Sequence, residues 1–170
     1  MSTQGPFAFT VTEAQVVQAM RRMTARRMTR GPAGWLLIAI AVLLVLLVGL
    51  EVLVLGRVSR TAVAIVVAVP IALLLVHFWM VPLMGRRQYR QSVALREETE
   101  IGWDDEALRF SSSRGAARLP FGDFHRWDET GDLIMLYQTE MYFHIVPRIA
   151  LGQAAPDLIT RLAAAGVARA

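Results

Sequence analysis

The chain has 170 residues, 55% of them hydrophobic, and a mean hydropathy of +0.43, which is too apolar for a soluble globule and places part of it in lipid. It has no cysteine, all 18 basic residues are arginine, and asparagine is missing; disulfides, thiolate nucleophiles, cysteine metal sites, catalytic or phosphate-loop lysines and N-linked glycosylation are thereby excluded. The net charge of +4 divides into +4 over residues 1–34, +1 over 35–84 and −1 over 85–170, a positive excess beside hydrophobic runs that marks a membrane flank and sets nucleic acid aside as a partner.

In chain order, Phe7, Phe9 and Val11 alternate with smaller residues at strand periodicity. Thr12 and Gln15 then stand in the relation of a capping box, with Val11 and Val16 placed for a hydrophobic staple, so a helix starts at Thr12. It runs to about Thr29, where Gly31 and Pro32 stop it. Val16, Met20 and Met23 share one face of this helix and Arg21, Arg22 and Arg26 lie off it. Two readings stand: the helix rests on anionic headgroups, or its arginines only set topology.

Residues 35–55, WLLIAIAVLLVLLVGLEVLVL, are 21 residues with Glu51 as the only charge; at 1.5 Å per residue they span roughly 30 Å, the thickness of the hydrocarbon core. The five residues GRVSR make a polar turn, and residues 61–81 supply a second crossing without formal charge. The expected unit is a transmembrane helical hairpin. A cleaved signal peptide does not fit, because the run is too long, starts late and is not closed by a small-residue cleavage site.

Arg21, Arg22, Arg26, Arg27 and Arg30 precede the first span and Arg86, Arg87, Arg90 and Arg96 follow the second, against two arginines in the turn. The positive-inside bias then puts both termini in the cytoplasm and the protein in the cell (inner) membrane, with Trp35 and Trp79 at one interface. Within the spans, Ala64, Ala68 and Ala72 form a small-residue stripe that serves either packing on the first span or self-association as a homo-oligomer. Glu51 and His77 are intramembrane ionisable groups, and both lie near enough to an end to snorkel. Pro70 is expected to kink the second helix.

After Met84 the sequence continues as a helical extension over residues 85–97, with Arg86, Arg87 and Arg90 at headgroup height. Short runs follow between turn residues: 99–103, 108–112, 116–119, 124–127, 133–137 and 141–146, an antiparallel meander. Pro156 opens a final helix with Leu158, Ile159 and Leu162 on its apolar face and Gly166 as its stop. About 75 residues make a small core, so the early strand at Phe7 is expected to return and complete the sheet. The fold class is membrane α+β: a two-helix transmembrane hairpin with a small cytoplasmic antiparallel β-domain, a PH-like split barrel of seven strands capped by a helix.

The stretch PFGDFHRWDET from Pro120, followed by LIMLY at Leu133 and FHIVPRIAL at Phe143, resembles the C-terminal domain of the YcxB-like membrane proteins. In that family a W-x-D-I-x-x-V-x-E pattern precedes a hydrophobic strand and an I-I-P-K-R-A-F pattern. Asp123, Glu129, Pro147, Arg148 and Ala150 match; Phe121, Phe124, Trp127, Ile149 and Leu151 replace the family's tryptophan, isoleucine, valine, second basic residue and phenylalanine. The resemblance covers about the last 70 residues, and it implies a fold and a two-span layout with cytoplasmic ends. It carries no activity.

For chemistry, Asp123 and His125 share one face if they lie on a strand, and with Asp128 or His144 they form the nearest approach to a metal site. The spacing is not diagnostic, and Asp123 reads better as a cap before Phe124. Asp104, Asp105 and Glu106 read as a solvated turn. No cofactor and no metal is implied, and the chain is not expected to be an enzyme. Two functions remain: a cytoplasmic-facing binding or regulatory module that meets anionic lipid headgroups or a partner, and an accessory subunit of a membrane transporter or enzyme that works through its spans.

Overall fold

The computed structural model describes residues 3–30 and 32–170, without the side chains of residues 29, 30, 32–34 and 77; Gly31 and the His77 side chain lie outside it. The chain is α+β and divides into two units, Met1–Ala19 with Arg86–Ala170, and Met20–Gly85.

The first unit is built from both ends of the sequence. Strand β1, Gln4–Phe9, pairs antiparallel with β2, Thr99–Trp103, which pairs with β3, Ala107–Ser112, and that with β4, Gly115–Pro120. The early strand therefore does return to complete a sheet. A second sheet has the order β7-β6-β5-β8, from β5 at Arg126–Thr130, β6 at Leu133–Tyr137, β7 at Phe143–Pro147 and β8 at Ala168–Arg169.

Among the described residues, eight strands in two sheets replace the expected seven-strand meander. The addition, β8, lies parallel to β5 and is only two residues long, too short to carry any periodicity. All five residues of β6 are buried, because this central strand is covered on both faces. Its unbroken LIMLY run follows from that.

Helix α1, Glu13–Arg30, starts with the expected capping box: the Thr12 N–H donates to Gln15 Oε1 at 2.9 Å and the Gln15 N–H to Thr12 Oγ1 at 3.3 Å. Val11 and Val16 are buried, as a staple requires. Val16 and Ala19 are buried in the first unit, and Met20 and Met23 on the same helix face are half-buried. Gln18 donates to the Thr130 carbonyl at 3.1 Å, close over Gly131, whose φ of +54° favours glycine in the β5–β6 turn.

The second unit holds the hydrophobic helices. Helix α2, Pro32–Leu55, and helix α3, Arg60–Leu75, are joined by a turn in which Ser59 Oγ accepts the Ala62 N–H at 3.1 Å. A π-helical turn, Val76–Met80, leads directly into α4, Val81–Gln91. The π turn stands just before Pro82, which has no N–H to give the Phe78 carbonyl and whose ring would clash with it in an ordinary α-helix.

Among the described residues, two helices, Trp35–Leu55 and Arg60–Gln91, are long and apolar enough to cross a membrane. Among the described side chains, the half-buried residues of α2 are Leu37, Ile40, Leu44, Val48 and Glu51, a single helix face, and on α3 they are Ala62 and Val69. Ala64, Ala68 and Ala72 are exposed, so packing on the first apolar helix does not account for the stripe.

Helix α4 ends at Gln91 and not near residue 97. Glu97 is drawn to the β3–β4 turn, where Ser113 Oγ and Arg114 Nε each donate to it at 2.9 Å, so the chain leaves the helix early. At the other end, α5, Arg148–Leu151, precedes α6, Ala155–Ala164. Gly166, with φ +77°, closes α6: its N–H donates to the Ala163 carbonyl and the Val167 N–H to that of Leu162.

Candidate functional site

The basic residues expected at a membrane flank fall into two sets. On α1, Arg21 and Arg22 are exposed while Arg26 and Arg27 are half-buried. On α4, Arg86, Arg87 and Arg90 are exposed. Arg86 and Arg90 lie one turn apart and converge on one carboxylate: their Nε atoms stand 3.5 Å from Glu13 Oε1 and 3.6 Å from Glu13 Oε2. Nothing in the sequence singled out Glu13, which lies 73 residues from Arg86; only the meeting of the two helices in the first unit reveals the pair.

The motif residues from the C-terminal region serve structure. Phe121 and Phe124 are buried. Glu129 on β5 and Arg148 at the start of α5 form an ion pair, and Arg169 Nη2 approaches the other Glu129 oxygen at 3.6 Å. Pro147 ends β7 opposite Leu133, and the Arg148 N–H donates to the Asp132 carbonyl at 2.7 Å. Glu129 and Arg148 thus fasten α5 and β8 to the central sheet.

Asp123 does not act as the expected cap. Residues Phe121–Asp123 form a single 3-10 turn, Asp123 is exposed, and the Phe124 N–H donates to the Phe121 carbonyl. The carbonyl three residues back is already in place for that N–H, so the carboxylate is not needed. His125 precedes β5, its N–H bonded to the Tyr137 carbonyl. Strand alternation therefore does not bring Asp123 and His125 to one face. Among the described residues no group of three or more His, Cys, Asp or Glu is placed to hold a metal ion.

Asp104 is buried, contrary to the solvated turn expected for it. Its Oδ1 accepts the N–H groups of Glu106 and Ala107, both at 2.9 Å, and its Oδ2 accepts from Arg109 at 2.7 Å and Arg118 at 3.4 Å. Those backbone donors, with the guanidinium groups, hold its carboxyl far below the usual carboxylate range. Next to it, Trp103 Nε1 donates to Asp157 Oδ2 at 2.7 Å and Arg161 pairs with both Asp157 and Asp105. Trp103 is fully buried, and its bond, followed by that of Arg161, lowers the Asp157 carboxyl. These contacts tie α6 to the β2–β3 turn.

Two further features complete the first unit. His144 on β7 stacks on Phe110 at 4.6 Å and meets the Tyr142 ring edge-on at 5.2 Å; burial pushes its pKa down. Glu97, Glu98, Glu100 and Ser111–Ser113 line an open depression of about 350 Å³.

The fold and these contacts define an α+β chain in which the sequence on either side of two long apolar helices builds a small two-sheet unit. The family model described as YcxB-like protein matches residues 103–162, from the end of β2 to α6, the region that carries the resemblance seen in the sequence. Neither a search of curated proteins nor one of solved structures finds a match.

Proposed function

We propose that the protein is a membrane-anchored, non-catalytic binding or regulatory module. Helix α2 and the continuous helix from α3 to α4 cross the cell membrane, and both ends of the chain lie in the cytoplasm. The observation that carries this reading is the exposure of large apolar side chains along both helices, from Trp35 at 74% and Leu53 at 83% to Phe78 at 60% and Trp79 at 72%. Water does not tolerate a contiguous apolar surface of that extent, and a bilayer core demands it. Nine flanking arginines against two in the turn support the cytoplasmic orientation.

The two-sheet unit is, in this reading, a PH-like split barrel. Its support is the order of the strands: a four-strand meander, then a three-strand meander, then α6. The module works at the membrane surface, and Arg86, Arg87 and Arg90, directly after the second apolar stretch, favour anionic lipid headgroups.

A second reading, an accessory subunit acting through its spans, draws on the exposed Ala64, Ala68 and Ala72, which suit close approach of another helix or a second copy, and on the π turn around His77. Crosslinking from Ala68 in native membranes separates the two: a specific heterologous partner favours the accessory subunit. Alkaline carbonate extraction tests the anchoring common to both, since release of the full chain into the soluble fraction defeats either.

A further inference from the structure

We propose that Arg86 and Arg90 form a binding site for the phosphate of an anionic membrane lipid, and that Glu13 is the built-in competitor that occupies it when no lipid is bound. The inference rests on the membrane reading above and adds to it the regulation of one site. The two arginines stand four residues apart on α4, one above the other on a single helix face. Each points its Nε at a different oxygen of the same carboxylate. That is a place already shaped for an oxyanion.

The carboxylate fills it poorly. Distances of 3.5 and 3.6 Å exceed the 2.7–3.2 Å of a true N–H···O bond, and both arginines are largely exposed, at 59% and 74%, where such pairs contribute little. A phosphate diester offers two anionic oxygens on a larger tetrahedral centre and accepts forked bonds from guanidinium groups, the stronger geometry. The site begins one residue after the apolar stretch that ends at Gly85, at the depth of lipid phosphates, with the half-buried Tyr89 between the two arginines.

Glu13 has an alternative position when displaced. It lies in the first turn of α1, where the helix dipole stabilises a negative charge by itself. Lipid arriving at Arg86 and Arg90 therefore costs the fold little and cuts the link between the start of α1 and α4. The contact reports the charge of the adjoining bilayer to the β-domain.

The test uses the full-length protein in detergent, titrated with phosphatidylglycerol or phosphatidylcholine and read by native mass spectrometry. The parent protein should prefer phosphatidylglycerol. Arg86→Gln with Arg90→Gln should lose about fivefold in affinity per arginine. Glu13→Gln should gain severalfold, and the gain should vanish in the triple variant. Circular dichroism verifies that each variant is folded.

If phosphatidylglycerol binding is unchanged in the double arginine variant, there is no site there and the proposal fails. If the double variant loses affinity but Glu13→Gln gains none, Glu13 is not a competitor and the proposal fails while the lipid reading survives. Displacement of the lipid by millimolar inorganic phosphate would assign the site to the free anion and overturn it. Release of the chain by alkaline carbonate would remove the membrane reading itself.

Discussion

Asp157→Ala isolates the bond that fastens α6 to the sheet. The substitution leaves the Trp103 indole N–H, which has no exposure to solvent, without an acceptor, and an unpaired buried donor costs about 1–3 kcal/mol. It also removes the i,i+4 pair with Arg161, worth only about 0.3–0.5 kcal/mol at the surface, and Arg161 keeps Asp105 at 2.7 Å. The Asp157 side chain is 39% exposed, so solvent weakens the charge-assisted part of the bond and the expected total is about 1.5–2.5 kcal/mol. In a unit of about 100 residues each kcal/mol lowers Tm by about 4–8 °C. Unfolding of the full chain in detergent, followed by near-UV circular dichroism, measures it. Asp157→Asn keeps an acceptor and should lose less. In a cycle with Trp103→Phe the two changes should be coupled by about 1–2 kcal/mol. Strict additivity, or an Asp157→Ala protein within about 0.5 kcal/mol of the parent, would refute the assignment of this bond as the fastening of α6.

Thr12→Ala breaks the capping box and should cost about 0.5–2 kcal/mol, with faster hydrogen exchange confined to the first turn of α1. His144 has its pKa lowered by burial, so below the ordinary value of 6.5 the unfolded chain takes up a proton that the folded one refuses. Its contribution is full above pH 6.5 and is lost as pH falls toward the lower folded value; denaturation midpoints should decline in that window, and His144→Leu should reduce the decline. The cysteine-free sequence allows single-cysteine topology mapping: in sealed cells a cysteine at Arg57 should react with an impermeant maleimide and one at Ser113 should not. The opposite pattern would invert the proposed orientation.

Local signals in the sequence are legible because local forces decide them. The Thr12–Gln15 box, the apolar stretch from Trp35 to Leu55 and the Gly166 stop each depend on residues a few positions apart, and each stands where the spacing put it. Strand positions were legible for the same reason in β2, β3 and β6. What escaped was decided at long range. Strand β8 exists because Arg126 and Trp127 offer it an edge, and neither Ala168 nor Arg169 carries any sign of that. Asp104, in an acidic run, reads as solvated because the pattern of charges does not show that its carboxylate folds back on the Glu106 and Ala107 N–H groups, nor that Arg118 reaches it from β4. The candidate lipid site was half legible: the arginines stand out by composition, but Glu13 gains meaning only when α1 meets α4.

That β1 and β2 are neighbours has a consequence for biosynthesis. About 90 residues separate them along the chain, so at translation rates of about 5–20 residues per second the first strand leaves the ribosome several seconds before its partner exists. In that interval the two apolar helices are made and, on the proposed reading, inserted. Gln4–Phe9 must wait unpaired throughout, and the β-domain closes only when the segment beyond the second apolar helix emerges on the same side. Closure of the sheet is thus sensitive to the number of crossings: on the proposed reading, a chain in which only one of the two helices inserts leaves β1 and β2 on opposite sides of the bilayer, each with an unpaired strand edge.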